Sequence, residues 1–238
     1  ATLPTPFQDL TGVGVRIAAA GDVLGVVSNG TSPSFGPVLS VQARRAGMLS
    51  FEPVFFSGES PSARAIAVST DYLFLAGEDN FVPFVSRADL SSMPFLVTVQ
   101  LPPATPVVHS MTVNAETLVL GTQGGQLLEC GAFCSSEPDL VYYEIGRTAL
   151  GTIGAVAADA THSYGLVEAM AGHLVRGARG KVNRMTGLVT RGPFASTTLI
   201  GPTVETTPYG IAIDDVYVYF TDKDGLHYYR KACFDRVC

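Results

Sequence analysis

A single block recurs along this chain: a short apolar strand, a polar turn, then a second apolar or aromatic strand. Its clearest copy runs Ile211-Ala212-Ile213-Asp214-Asp215-Val216-Tyr217-Val218-Tyr219-Phe220-Thr221-Asp222. Earlier copies begin at Ile17, Ile66, Met111 and Val156, so successive copies stand 49, 45, 45 and 55 residues apart. Units of ~40–50 residues built from strands and turns alone are the repeat of a β-propeller, one blade per unit. The predicted fold is therefore all-β, a single β-propeller domain over residues 1–238. Its units fall at about 13–60, 61–106, 107–150, 151–202 and 203–238.

Composition agrees with a packed domain. Hydrophobic residues make up 47% of the chain and charged ones 15%, a balance that disfavours disorder. Arg16, Asp22, Asp71 and Asp159 interrupt the apolar stretches, well short of the ~18 residues a membrane span requires. The net charge of −6 argues against nonspecific nucleic-acid binding, which needs Lys and Arg to neutralise phosphates. No apolar leader precedes Ala1 and there is no initiator Met, so the expectation is a mature or excised chain. Without Trp, any sugar-stacking platform falls to the 9 Tyr and 13 Phe, most of them at strand positions.

Within each unit, short strands alternate with Gly, Pro, Asn and Asp, and no stretch carries an apolar stripe of helical period. Ala18–Ala20 and Ala155–Ala158 share the register of Ile66–Val68 and Ile211–Ile213. They read as innermost strands, where side chains must be small. Ser28–Pro37 reads as a Gly/Ser/Pro-rich loop, and the fourth unit as the most degenerate, with room for an insertion around Gly187–Pro202. The fifth unit stops after three strands. Either the N-terminal arm at Thr5–Leu10 adds the outermost strand and closes a ring of five blades, or the chain is a fragment of a six- or seven-bladed propeller. Five blades is the expectation, because closure covers sheet edges that invite aggregation.

Pro208-Tyr209-Gly210-Ile211-Ala212-Ile213-Asp214, continued through Tyr217-Val218-Tyr219-Phe220-Thr221-Asp222, resembles the P-x-G-I-A-[VI]-D…[LV]-Y-[WF]-T-[DN] blade signature of YWTD-, NHL- and SMP-30-type propellers. Residues Gly225–Cys238 are similar to repeats of secreted bacterial proteins, myxobacterial ones among them, that end in C-x(3,4)-C. Gly125–Cys134 is a second copy of that ending. Phe220 stands where the signature usually has Trp, and units one, two and four lack its P-x-G-I and Tyr-Trp-Thr parts. The resemblance implies a propeller in an extracellular, periplasmic or cell-surface setting. It implies no activity.

Cys130/Cys134 and Cys233/Cys238 occupy equivalent places in two units. Four residues of extended strand span ~13 Å, more than the ~4.4–6.8 Å that a disulfide allows between Cα atoms. Each pair must therefore straddle a turn, which Gly131 and Asp235 suit. Disulfides are the expectation, with free thiols and a zinc site as the alternatives.

Other polar residues fall into four groups. Asn114, Asp159 and Asp214 hold equivalent turn positions; SMP-30-like lactonases bind a divalent cation through such side chains, although Asn and Asp also favour turns for their own sake. Asp222-Lys223-Asp224-Gly225 resembles part of a calcium loop but lacks its distal Glu, and reads as a tight turn. Arg16, Arg64, His109 and Tyr209 each precede or open an inner strand. Together they would crowd one mouth of a central channel and receive a polar or anionic ligand. Arg176–Arg184 is the one basic cluster and reads as an exposed turn.

No G-x-S-x-G or H-x-x-x-H occurs, and Gly12-Val13-Gly14 lacks the third glycine of a dinucleotide motif. The expectation is a monomeric, noncatalytic recognition or scaffold module, with no cofactor and no metal. Its partner would be a protein or a small polar or anionic ligand, met by the loops Ser28–Pro37, Gly77–Pro83 and Asp222–Gly225. The alternative is a metal-dependent lactonase or esterase using Asn114, Asp159 and Asp214.

Overall fold

Each of the five sequence units folds into one antiparallel meander. The computed structural model describes residues 16–20, 22–32, 36–45, 52–54, 64–69, 72–76, 81–86, 97–101, 105–114, 117–130, 142–168, 172–182, 189–190, 192–198, 210–222 and 225–235. They belong to two compact units, Ala1–Leu101 and Pro102–Cys238. The arm at Thr5–Leu10, Tyr209, Cys134 and Cys238 lie outside the described residues.

In Ala1–Leu101, β1 (Arg16–Ala20), β2 (Val23–Ser32), β3 (Gly36–Arg45) and β4 (Glu52–Val54) pair in chain order, as do β5 (Ala65–Val68), β6 (Tyr72–Ala76), β7 (Phe81–Ser86) and β8 (Val97–Gln100). The β2–β3 ladder continues out to Ser32↔Gly36. Most of the segment expected to be a Ser28–Pro37 loop is therefore a long hairpin. Its glycines and serines lower β-propensity, but unbroken backbone pairing overrides that preference. β5 and the Leu73–Ala76 part of β6 are buried on both faces, the pattern of a sheet covered on two sides.

Pro102–Cys238 carries three such sheets. The first is β9 (Val108–Asn114), β10 (Thr117–Thr122), β11 (Gln126–Cys130) and β12 (Tyr142–Arg147). The next holds β13 (Thr152–Ala158), β14 (His162–Glu168) and β15 (His173–Ala178), then a two-stranded insertion, β16 (Lys181–Val182) with β17 (Val189–Thr190), before β18 (Phe194–Thr198) completes it. This insertion accounts for the irregular fourth unit. The last sheet has β19 (Gly210–Ile213), β20 (Tyr217–Asp222) and β21 (Gly225–Arg230), followed by a 3-10 turn at Lys231–Phe234. Asp222 at the end of β20 pairs with Gly225 at the start of β21, and Gly225 takes a φ of 129° that favours glycine.

The β13–β15 sheet is packed on both faces. Val167 and Val175, with Ile153 and Val156, join Val119, Leu127, Tyr143 and Ile145 of the preceding sheet. Tyr164, Leu166, Leu174 and Ala155 join Val218 and Phe220 of the following one. Successive residues along β14 and β15 thus alternate between the two cores, as period-2 geometry requires. β13 departs from this at a register shift between Ile153 and Ala155, which lets Ile153 and Val156 face the same way.

Close approach between the β9–β12 and β13–β18 sheets depends on glycines opposite large side chains. A Cβ at Gly121 would stand 2.6 Å from Ile153 Cγ2 and 2.8 Å from the Ile153 carbonyl oxygen, and one at Gly146 or Gly177 would meet Phe194 or Ile145. Main chains come near enough for Ser110 Oγ to donate to the Ile153 carbonyl at 2.9 Å. Gly121→Ala should therefore destabilise the protein by about 1–3 kcal/mol through overpacking, read as a lower denaturation midpoint in urea. An unchanged midpoint would mean the sheets yield there.

Candidate functional site

The turn joining β13 to β14 begins at Asp159. Its Oδ1 accepts hydrogen bonds from the main-chain N–H groups of Thr161 and His162, both at 2.8 Å, and from Thr161 Oγ1 at 2.8 Å. Asp214 does the same one unit later, accepting from the N–H groups of Val216 and Tyr217 at 2.7 and 2.6 Å. In both turns Oδ2 takes the hydroxyl of a tyrosine five residues on: Tyr164 at 3.2 Å, Tyr219 at 2.7 Å. Asp is required here because a short carboxylate can mimic the backbone acceptor of a turn and still reach the next strand.

Asp159 differs from Asp214 in having a distant partner. Lys231 Nζ, on the 3-10 turn, lies 2.6 Å from Asp159 Oδ2 and 5.0 Å from the centre of the Tyr164 ring. Beside it, Arg176 of β15 holds Asp235 with both terminal nitrogens, at 3.0 and 2.5 Å, and lies 4.8 Å from the centre of the Phe234 ring. Arg176 is buried, and its Nε has no partner among the described residues. These side chains, with Ala160, Thr161, His162, Asp215 and Ala232, line a cavity of about 400 Å³.

The charges set one another's ionisation. Burial pushes the Asp159 carboxyl up, but Lys231 and the turn N–H groups outweigh it and hold that group well below the usual carboxylate range. Arg176 lowers Asp235 in the same way, and Asp235 raises Arg176. Burial, then the Arg176 charge, pushes the His162 imidazole down. Tyr164 is raised by burial and by Asp159.

A second ionic tie lies between the β9–β12 sheet and the segment after β15. Arg179 Nε is 2.5 Å from Glu129 Oε1, and Tyr143 Oη donates to Glu129 Oε2 at 2.7 Å. Arg179 also bonds Thr117 Oγ1 and, at 3.2 Å, the carbonyl oxygen of Asp159. Glu129 is 1% exposed, so this carboxylate depends on its partners.

Thr161, His162 and Asp159 have the residue types of a nucleophile, base and orienting acid, but the wrong connections. Asp159 takes the threonine hydroxyl and the His162 main-chain N–H, whereas a catalytic triad needs the carboxylate on the imidazole ring. The proposed cation ligands also go to different partners: Asn114 Nδ2 donates to the Ala158 carbonyl at 2.8 Å, Asp159 binds Lys231 and its own turn, and Asp214 binds its own turn and Tyr219. No group of three His, Cys, Asp or Glu among the described residues is placed to hold a metal.

Of the channel-mouth residues, Arg64 precedes β5 and its N–H pairs with the Ala76 carbonyl at 2.8 Å. Arg16 opens β1. His109 is half-buried on β9, where the register shifts opposite Gly121 and Thr122. Cys130 ends β11, and Cys233 lies on the 3-10 turn. Two members of the basic cluster depart from the exposed turn expected of it: Arg176 sits in a β-strand and Arg179 is half-buried, because each has a carboxylate partner 50 or more residues away in sequence; Arg184 lies outside the described residues. Arg176, Lys231 and Asp235 were missed as site residues. The one sequence signal for Arg176 is its alternation with Leu174 on a strand.

No family model matches this chain, and no curated protein matches it. Solved structures do. They include the RRP9 WD40 repeats (TM-score 0.61, 14% identity, 90% of this chain and 61% of that one). Virginiamycin B lyase from Staphylococcus aureus gives 0.60, 11% identity, and 93% and 66% coverage. AztD from Citrobacter koseri gives 0.53, 13% identity, and 92% and 57%. The chain thus spans less than two thirds of each of these proteins. At such identities the likeness establishes a β-propeller-type fold alone.

Two tests follow from the ion pairs. Arg179→Met should cost about 3–5 kcal/mol by leaving Glu129 buried without its cation, and Arg179→Met with Glu129→Met should recover most of that in urea unfolding. Asp159 has a depressed folded pKa, so its stabilisation is present above the unfolded carboxyl value of about 3.9 and is lost as pH falls further. Asp159→Asn should flatten the acid limb of a melting-temperature profile.

Proposed function

We propose that this chain is a noncatalytic recognition module of an extracytoplasmic compartment, binding a small polar ligand in the cavity bounded by the β13–β14 turn and the Lys231–Asp235 segment. The observation that carries this reading is the pairing of charges. Lys231 is bound to Asp159 and Arg176 to Asp235, so these four groups are engaged with each other rather than poised as general acid or base. A cavity with paired charges and one aromatic wall instead resembles the usual form of a small-ligand site. The fold is neutral on the point, since its structural relatives include a protein named as a lyase and one named for WD40 repeats.

The pairings Cys130–Cys134 and Cys233–Cys238 belong to the same reading. Cys233 carries no free thiol, which supports the second of them. Two staples of this kind would persist only outside a reducing cytoplasm.

Thermal denaturation with Ca²⁺, Mg²⁺, Zn²⁺ and EDTA, on protein whose thiols have been titrated, separates the readings. No reactive thiol before reduction and four after it, with no metal response, is the expected result. A cation that raises the melting temperature reversibly with EDTA, together with lactone hydrolysis, would overturn the noncatalytic reading in favour of the SMP-30-like one.

A further inference from the structure

We draw no further inference here: the strongest candidate, the outward face of the β19–β21 sheet, where Leu226 and Tyr228 are each 70% exposed beside Ala212, carries nothing because no feature of the described residues shows what would cover it.

Discussion

The close approach of the β9–β12 and β13–β18 sheets is the constraint on which the rest of Pro102–Cys238 depends. Sheets normally pack about 10 Å apart, with side chains filling the gap. Here Gly121, Gly146 and Gly177 leave room for Ile153, Phe194 and Ile145 to enter from the facing sheet. The main chains then come within reach of each other's side chains. Ser110 can donate to Ile153, and Asn114 to Ala158. Those contacts fix where β13 ends and hence where Asp159 starts its turn. The cavity inherits its position from that spacing.

Charge placement follows the same logic. Arg179 leaves β15 at the edge between two sheets, and its guanidinium binds Glu129, Thr117 and the Asp159 carbonyl oxygen together. A buried carboxylate is costly unless it is fully paired, and Glu129 has Arg179 and the Tyr143 hydroxyl. Its net contribution to stability is therefore small beside what its disruption would cost. Arg176 and Asp235 differ, because Asp235 is largely exposed and solvent screens that pair. The first pair fastens sheets; the second seats a surface turn.

Much of the fold was legible in the sequence. Ala18–Ala20, Ile66–Val68, Ala155–Ala158 and Ile211–Ile213 lie within β1, β5, β13 and β19, as their shared register suggested, because short apolar runs between turn residues leave little freedom. Gly and Ser in Ser28–Ser32 pointed to a loop, yet their backbone groups pair with β3, a nonlocal event that composition does not record. The site was harder. Asp159 stood out as a turn residue, but its partner Lys231 is 72 positions away, a nonlocal pairing that the repeat pattern does not record. Arg176 looked solvated because its neighbours Gly177 and Gly180 suggested a turn. In the structure Gly177 is a socket for Ile145, and Arg176 belongs to the strand that carries it.

Asp159 and Asp214 show where a repeat stops being only architecture. Both open a turn, both accept two main-chain N–H groups, and both hold a tyrosine five residues on. The repeat requires that much of each. Tyr219 is half-buried and its turn is exposed, whereas Tyr164 is 1% exposed and lies beneath Lys231 and against Phe234. The same local chemistry therefore yields a plain surface turn in one unit and a cavity wall in the other. What separates them is the segment Lys231–Asp235, which brings a cation, a ring and a carboxylate to the earlier turn. The cavity forms where the segment after β21 lies against the turn of the preceding unit.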